Sequence, residues 1–241
     1  MTFAPVLHAE WLKIRTLRSL PGALLALFAV TTGFSALAGA DGSSDPEFDP
    51  LFTALSGILP GQIAAISFGA MAVSSEYHGG ALRLTLAATP QRGRWFAAKM
   101  TAIAVPALLV GLVTAGAALA AGRAGLGSAA DGLTVAEQLR GVLGCGIYLM
   151  LIALFAAGLT ALLRSGVATL SILIPFILVV SFVIGDAAGT VADFLPDKAG
   201  QIALHQTYDG PLGPWSGLTV TALWTAAVLL AGGWSVRRRD A

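Results

Sequence analysis

Glu76, Tyr77, Arg83, Thr85, Arg92, Arg94 and Lys99 crowd into residues 75–99, between two long apolar runs. A chain that spends this many charged and hydrogen-bonding side chains on one connection presents them to an aqueous partner. Nothing there predicts bond-making chemistry. Gly93-Arg94-Trp95-Phe96-Ala97-Ala98-Lys99 only approximates a phosphate-binding loop. It lacks the second glycine before the lysine and the Ser/Thr after it, and no strand precedes it. His8-Ala9-Glu10 runs on into Trp11 and Leu12, so it is no zinc-protease motif. His8, His78 and His205 fall in different segments, and a G-x-S-x-G elbow is absent. No catalytic residue and no metal site are expected. Cys145, the single cysteine, sits in an apolar run and reads as a small packed hydrophobe.

The elements that must position the charged stretch are membrane helices. The chain is 56% hydrophobic and 11% charged, with mean hydropathy +0.80. A soluble domain carries about 25% charged residues. Six apolar runs predict spans over about 20–40, 51–74, 99–121, 139–163, 166–186 and 216–236. All are expected to be helical, because lipid forces each segment to satisfy its own backbone. Pro60-Gly61, Pro106 and Pro175 predict kinks. The whole chain, 1–241, reads as one all-α integral membrane domain. Ala38-Gly39-Ala40 resembles a signal-cleavage site, but the preceding apolar run is longer than a signal core, so the first span is expected to stay.

Charge sets the expected orientation. Lys13, Arg15, Arg18, Arg83, Arg92, Arg94, Lys99, Arg164, Arg237, Arg238 and Arg239, eleven of the 14 basic residues, fall on one side of this topology. Arg123, Arg140 and Lys198 fall on the other. The positive-inside rule then places both termini and the 75–99 connection in the cytoplasm. Almost no ionisable group is expected at membrane depth. Asp186, Arg140 and Arg164 lie at span ends and read as interfacial anchors or caps. Gly57-x-x-x-Gly61 and Gly185-x-x-x-Gly189 match small-residue packing spacing, as chance alone allows among 29 glycines.

Local signals refine the edges. Thr134-Val135-Ala136-Glu137 predicts a capping box that starts the fourth span. Gly79-Gly80 ends the second span, and Thr89-Pro90 begins the helix entering the third. Between them lies a short segment, Ala81–Ala88. Around His8–Leu20, the residues Ala4, Leu7, Trp11, Ile14 and Leu17/Arg18 recur at helical spacing, with Glu10, Lys13 and Arg15 on other faces. This predicts an interfacial amphipathic helix. Residues 187–215 mix Val191, Phe194, Leu195, Ile202 and Leu204 with Asp193, Asp197 and Lys198. Short helices dipping into the outer leaflet suit that mixture, with a turn-rich return at 209–214.

Three segments together carry a family resemblance: HAEWLKIRTLRS (8–19), SSEYHGGALRLTLAATPQRGR (74–94) and LPDKAGQI (195–202). In this order they resemble ABC-2-type transporter permeases, small actinobacterial members above all. The middle motif is the most specific. Gly80-Ala81 departs from it, since a Gly-Thr pair is frequent there in the family. The resemblance implies six membrane helices and short re-entrant or extracellular helices between the fifth and sixth. It implies a cytosolic ABC ATPase on a separate chain, which binds the ATP and magnesium, so that this chain carries no cofactor. It also implies pairing with a second copy or a homologous permease in the bacterial cytoplasmic membrane, with no nucleic-acid partner. Glu76, Tyr77, Gly80, Arg83, Thr85, Pro90 and Arg92 would form the ATPase-coupling interface. Glu10, Trp11, Lys13 and Arg15 would belong to the interfacial helix beside it. The function expected on this basis is a non-catalytic permease that exports an amphiphilic or hydrophobic substrate such as a drug, peptide or lipid. A secondary transporter or channel, or an intramembrane enzyme, is the alternative. The first would need intramembrane charges or inverted repeats, and the second polar groups converging at membrane depth. Neither pattern is visible in the sequence.

Overall fold

The computed structural model describes residues 3–41, 48–79, 81–88, 91–180 and 189–238. All regular structure among them is helical. Ten α-helices lie among the described residues: α1 (Phe3–Thr16), α2 (Ser19–Asp41), α3 (Pro50–Leu55), α4 (Ile58–Ser74), α5 (Ala81–Ala88), α6 (Arg92–Leu126), α7 (Val135–Leu163), α8 (Gly166–Pro175), α9 (Pro196–Gln201) and α10 (Pro214–Arg238). Five stretches of the described residues are long and apolar enough to cross a bilayer: Ser19–Asp41, Pro50–Tyr77, Arg92–Ala130, Val135–Leu163 and Pro214–Arg238. Gly166–Leu178 is a shorter apolar helix. The expected fifth span, 166–186, is described only to residue 180, and Asp186 and Gly185 lie outside the described residues.

α7 is the central post. It packs against α4, α6, α8 and α10, while α2 closes the far side against α6 and α4. Close approach between α4 and α7 depends on Gly69, where an added Cβ would fall 2.0 Å from the Ala153 carbonyl oxygen. α7 and α10 run in the same direction. Thr225 donates to Leu151 O at 3.3 Å, and seven residues later in both helices Gly232 abuts Gly158 O. A parallel pair requires the intervening chain to return to its starting end, a task that falls to residues 164–213. Polar contacts close the end opposite the 75–88 connection: Asp49 caps α3 and accepts from Gln206 N (2.8 Å), and Arg140 donates to His205 O and Gln206 O, each at 2.9 Å.

Several edges differ from the sequence expectation. The second span is not one helix over 51–74 but α3 and α4, broken at Ser56-Gly57. Pro60 explains the break: it lacks an N–H, and its ring crowds the carbonyl four residues back, at Ser56. The freed Gly57 N–H donates to Ser35 Oγ on α2 at 3.2 Å. Gly57 and Gly61, the spacing chance allows, both lie against Thr31 of α2. α6 starts at Arg92 with Gln91 at its N-cap, two residues after the predicted Thr89-Pro90 start, which lies outside the described residues. It stays helical through the buried Pro106. The Thr134 capping box is formed as expected, with Glu137 N donating to Thr134 Oγ1 and Thr134 N to Glu137 Oε2 (3.3 and 2.8 Å). Cys145 is buried.

The segment 189–204 forms short helical turns around α9, and they penetrate the bundle. Gly200 abuts the ring of Tyr148, the fourteenth residue of the 29-residue α7. At 1.5 Å per residue, that is about 20 Å in from either end.

Candidate functional site

The chain turns sharply after α4. One turn of 3-10 helix (Ser75–Tyr77) is followed by Gly79 at φ +63°, a left-handed conformation that glycine adopts without steric cost. α5 then runs along the end of the bundle. Leu82 and Leu86 face the protein, while Leu84 on the opposite side is 74% exposed. That asymmetry follows from helical spacing: positions 82, 85 and 86 share a face, and 84 does not.

Beneath α5 lies a closed square of four charges. Lys99, on the second turn of α6, places Nζ 2.6 Å from Glu10 Oε2 and 2.6 Å from Glu76 Oε1. Lys13 donates to the other side of the square, 2.9 Å to Glu10 Oε1 and 2.8 Å to Glu76 Oε1. Trp95 Nε1 donates to Glu10 Oε1 at 3.1 Å, and Thr85 Oγ1 donates to Glu76 Oε2 at 3.3 Å. The side chains of Lys99, Glu10 and Glu76 are only 2–3% exposed, whereas Lys13 is one-third exposed. Burial pulls the Lys13 pKa down, but hydrogen bonds and charge from Glu76 and Glu10 outweigh it and hold the ammonium above the ordinary lysine value. Two cations balance two anions, so the square is neutral as a unit. Glu10 and Lys13 come from α1, Glu76 from the turn after α4 and Lys99 from the base of α6. It therefore ties three chain segments that are distant in sequence.

Two further ties fasten this end. Tyr77 Oη donates to Ala161 O near the end of α7 (3.4 Å), and Arg92 Nη1 donates to Val236 O in the last turn of α10 (3.3 Å). α1, the 75–88 connection, and the last turns of α7 and α10 thus share one end of the bundle. Among the predicted site residues, the structure brings Glu10, Lys13, Glu76 and Thr85 together. Trp11 instead lines an apolar cleft of about 430 Å³ between α1 and α6, and Arg15 is exposed in the last turn of α1. Arg83 lies within α5, but its side chain, like Gly80 and Pro90, falls outside the described residues.

The placement of Glu10 corrects the sequence expectation. The inward stripe of α1 is Val6, Glu10 and Ile14, so Glu10 points into the protein rather than to another face. Glu76 likewise turns inward rather than outward. Lys99, Trp95 and Leu84 are absent from the predicted site. The i, i+4 spacing of Trp95 and Lys99 puts them on one face of α6, a visible signal, but their partner at Glu10 is 85 and 89 residues away.

A second polar group lies in the middle of the bundle, where the sequence pointed to none. The Tyr148 hydroxyl donates to Gln62 Oε1, and Gln201 Nε2 from α9 reaches both, each at 3.4 Å. Asp197 is buried on the same short helix. A phenol and two carboxamides hold no nucleophile–base pair. They satisfy one another's polar atoms and anchor α9 against α4 and α7.

A family model described as ABC-2 family transporter protein matches residues 6–183. No curated protein matches the chain.

Proposed function

The chain belongs to the ABC-2 transporter family, and from that premise we propose that it is the permease of an ATP-driven exporter, moved by a separate cytosolic ABC ATPase docked on α5 and α1. The membership makes it a multi-pass transport subunit of all-α build. The observation that carries the rest is the buried charge square. A docked motor can move a membrane helix only through contacts that do not yield. Two carboxylates held by two ammonium groups in a water-poor site, with Trp95 and Thr85 filling further hydrogen bonds, form such a contact. A push on α5 or α1 then reaches α6, a continuous helix of about 52 Å at 1.5 Å per residue.

In this reading Glu76, Thr85, Glu10 and Lys13 transmit, while the outward side of α5, centred on Leu84, contacts the ATPase. Tyr77 and Arg92 pass the motion to α7 and α10. Gly80, Arg83 and Pro90 belong to the same connection, and Trp11 and Arg15 to the helix beside it. The parallel pairing of α7 and α10 supports a sixth crossing after α7, and the basic residues support cytoplasmic termini in a bacterial cytoplasmic membrane. ATP and magnesium bind the motor. A second permease copy or a homologue completes the path, and the apolar character of the spans favours an amphiphilic or hydrophobic cargo. Co-expression of the chain with a candidate ABC ATPase, followed by affinity purification and mass spectrometry, tests the reading. A stoichiometric complex that Leu84→Asp abolishes is expected. A complex that forms equally well with Leu84→Asp refutes docking on α5.

A further inference from the structure

At the same end of the bundle, an apolar trough of about 640 Å³ separates α6 from α10. Phe96 and Met100 form one wall, and Leu229, Leu230 and Trp234 the other. Gly233 faces the Phe96 ring, where an added Cβ would lie 3.2 Å from it, so the absence of a side chain keeps the trough open. From Leu229 to Arg237 it extends about 12 Å along α10, at 1.5 Å per residue.

Its mouth is cationic. The Arg237 guanidinium lies over the backbone of Gly93, where an added Cβ would fall 2.6 Å from Nη2. Arg238 stacks over the Trp234 ring at 4.7 Å. Among the described residues, the acids at this end of the bundle are Glu10 and Glu76, and both are consumed in the buried square. The trough therefore joins a hydrocarbon-lined interior to positive charge at its rim, with an exposed tryptophan at the boundary. Tryptophan at the headgroup level and basic pockets between membrane helices select amphiphiles with anionic heads.

We propose that this trough is a binding site for one anionic glycerophospholipid, its phosphate on Arg237 and Arg238 and one acyl chain along Phe96, Met100 and Leu229. A zwitterionic lipid carries its own cation and gains little from the rim, so charge decides the selection. The site is independent of the transport role proposed above.

The test uses the full chain in nanodiscs made from equal parts phosphatidylglycerol and phosphatidylcholine, with lipids retained after mild detergent release read by native mass spectrometry. Two basic residues at the surface predict a preference of about 30-fold for phosphatidylglycerol. Arg237→Gln with Arg238→Gln should reduce it toward unity, and Arg237→Lys with Arg238→Lys should largely keep it. Equal retention of the two lipids by the wild-type chain overturns the proposal, and this arm needs no variant to fold. A glutamine double variant that keeps the preference also overturns it. Inorganic phosphate added in excess should not displace the lipid. Displacement by phosphate alone would mean a simple anion site and would refute the lipid.

Discussion

Replacing Lys99 by methionine removes one corner of the buried square and leaves two carboxylates facing Lys13 alone. Each 2.6 Å contact of Lys99 corresponds to about 6 kcal/mol of attraction at an effective dielectric of about 20. Most of that is offset by the cost of stripping water from the charges, and deleting one member of a buried pair costs about 3–5 kcal/mol net. For a chain of this size, that corresponds to a fall of roughly 6–20 °C in the melting midpoint, measurable by intrinsic fluorescence in nanodiscs. Trp95 sits inside the affected site and supplies a local signal. The companion Glu10→Gln removes the excess negative charge, so Lys99→Met with Glu10→Gln should recover part of the loss. The two changes should be coupled by at least about 1 kcal/mol in a double-mutant cycle. A Lys99→Met midpoint within 1 °C of wild type, or strictly additive single changes, would refute the view that the square holds these segments together.

The other expectations concern the packing of the bundle and its far end. Gly69→Val should cost about 1–3 kcal/mol through overpacking against Ala153, read as a lowered melting midpoint. Tyr148→Phe leaves Gln62 and Gln201 without their hydroxyl partner, a loss of about 1–3 kcal/mol. It should raise hydrogen exchange in residues 196–204 before it affects α7. Burial pushes the Asp49 carboxyl up, but the His205 ring and the N–H groups of Phe52 and Gln206 prevail and hold it below the ordinary 3.8. Its stabilising contribution is therefore present above pH 3.8 and lost as the pH falls through the lower folded value. The stability difference between wild type and Asp49→Asn should shrink as the pH falls below 3.8.

Much of the architecture is legible in the residues because lipid imposes simple rules. Apolar runs mark α2, α6, α7 and α10, and Thr134 with Glu137 marks the start of α7 to the residue. The break at Ser56-Gly57 is less visible, since hydropathy averages over it and only the position of Pro60 betrays it. The charged connection is legible as an unusual feature, yet its chemistry is not. Glu10 on an amphipathic helix reads as a solvent-facing acid because local periodicity cannot anticipate a lysine 89 residues away. Glu76 reads as a contact for a partner for the same reason. The polar group of Gln62, Tyr148 and Gln201 is hidden more deeply. Its members come from three helices, and one arrives by insertion of the short α9 into the middle of the bundle, which no local pattern encodes.

The central claim is that the square transmits motion and does not itself bind the motor. Glu76→Gln, made in the chain reconstituted with a candidate ABC ATPase in proteoliposomes, separates the two roles because it removes charge from a side chain that is turned inward. The permease–ATPase complex should still assemble in full, while transport-coupled ATP hydrolysis falls about tenfold, the change that a barrier raised by about 1.4 kcal/mol produces. Intact coupling with an assembled complex would contradict it.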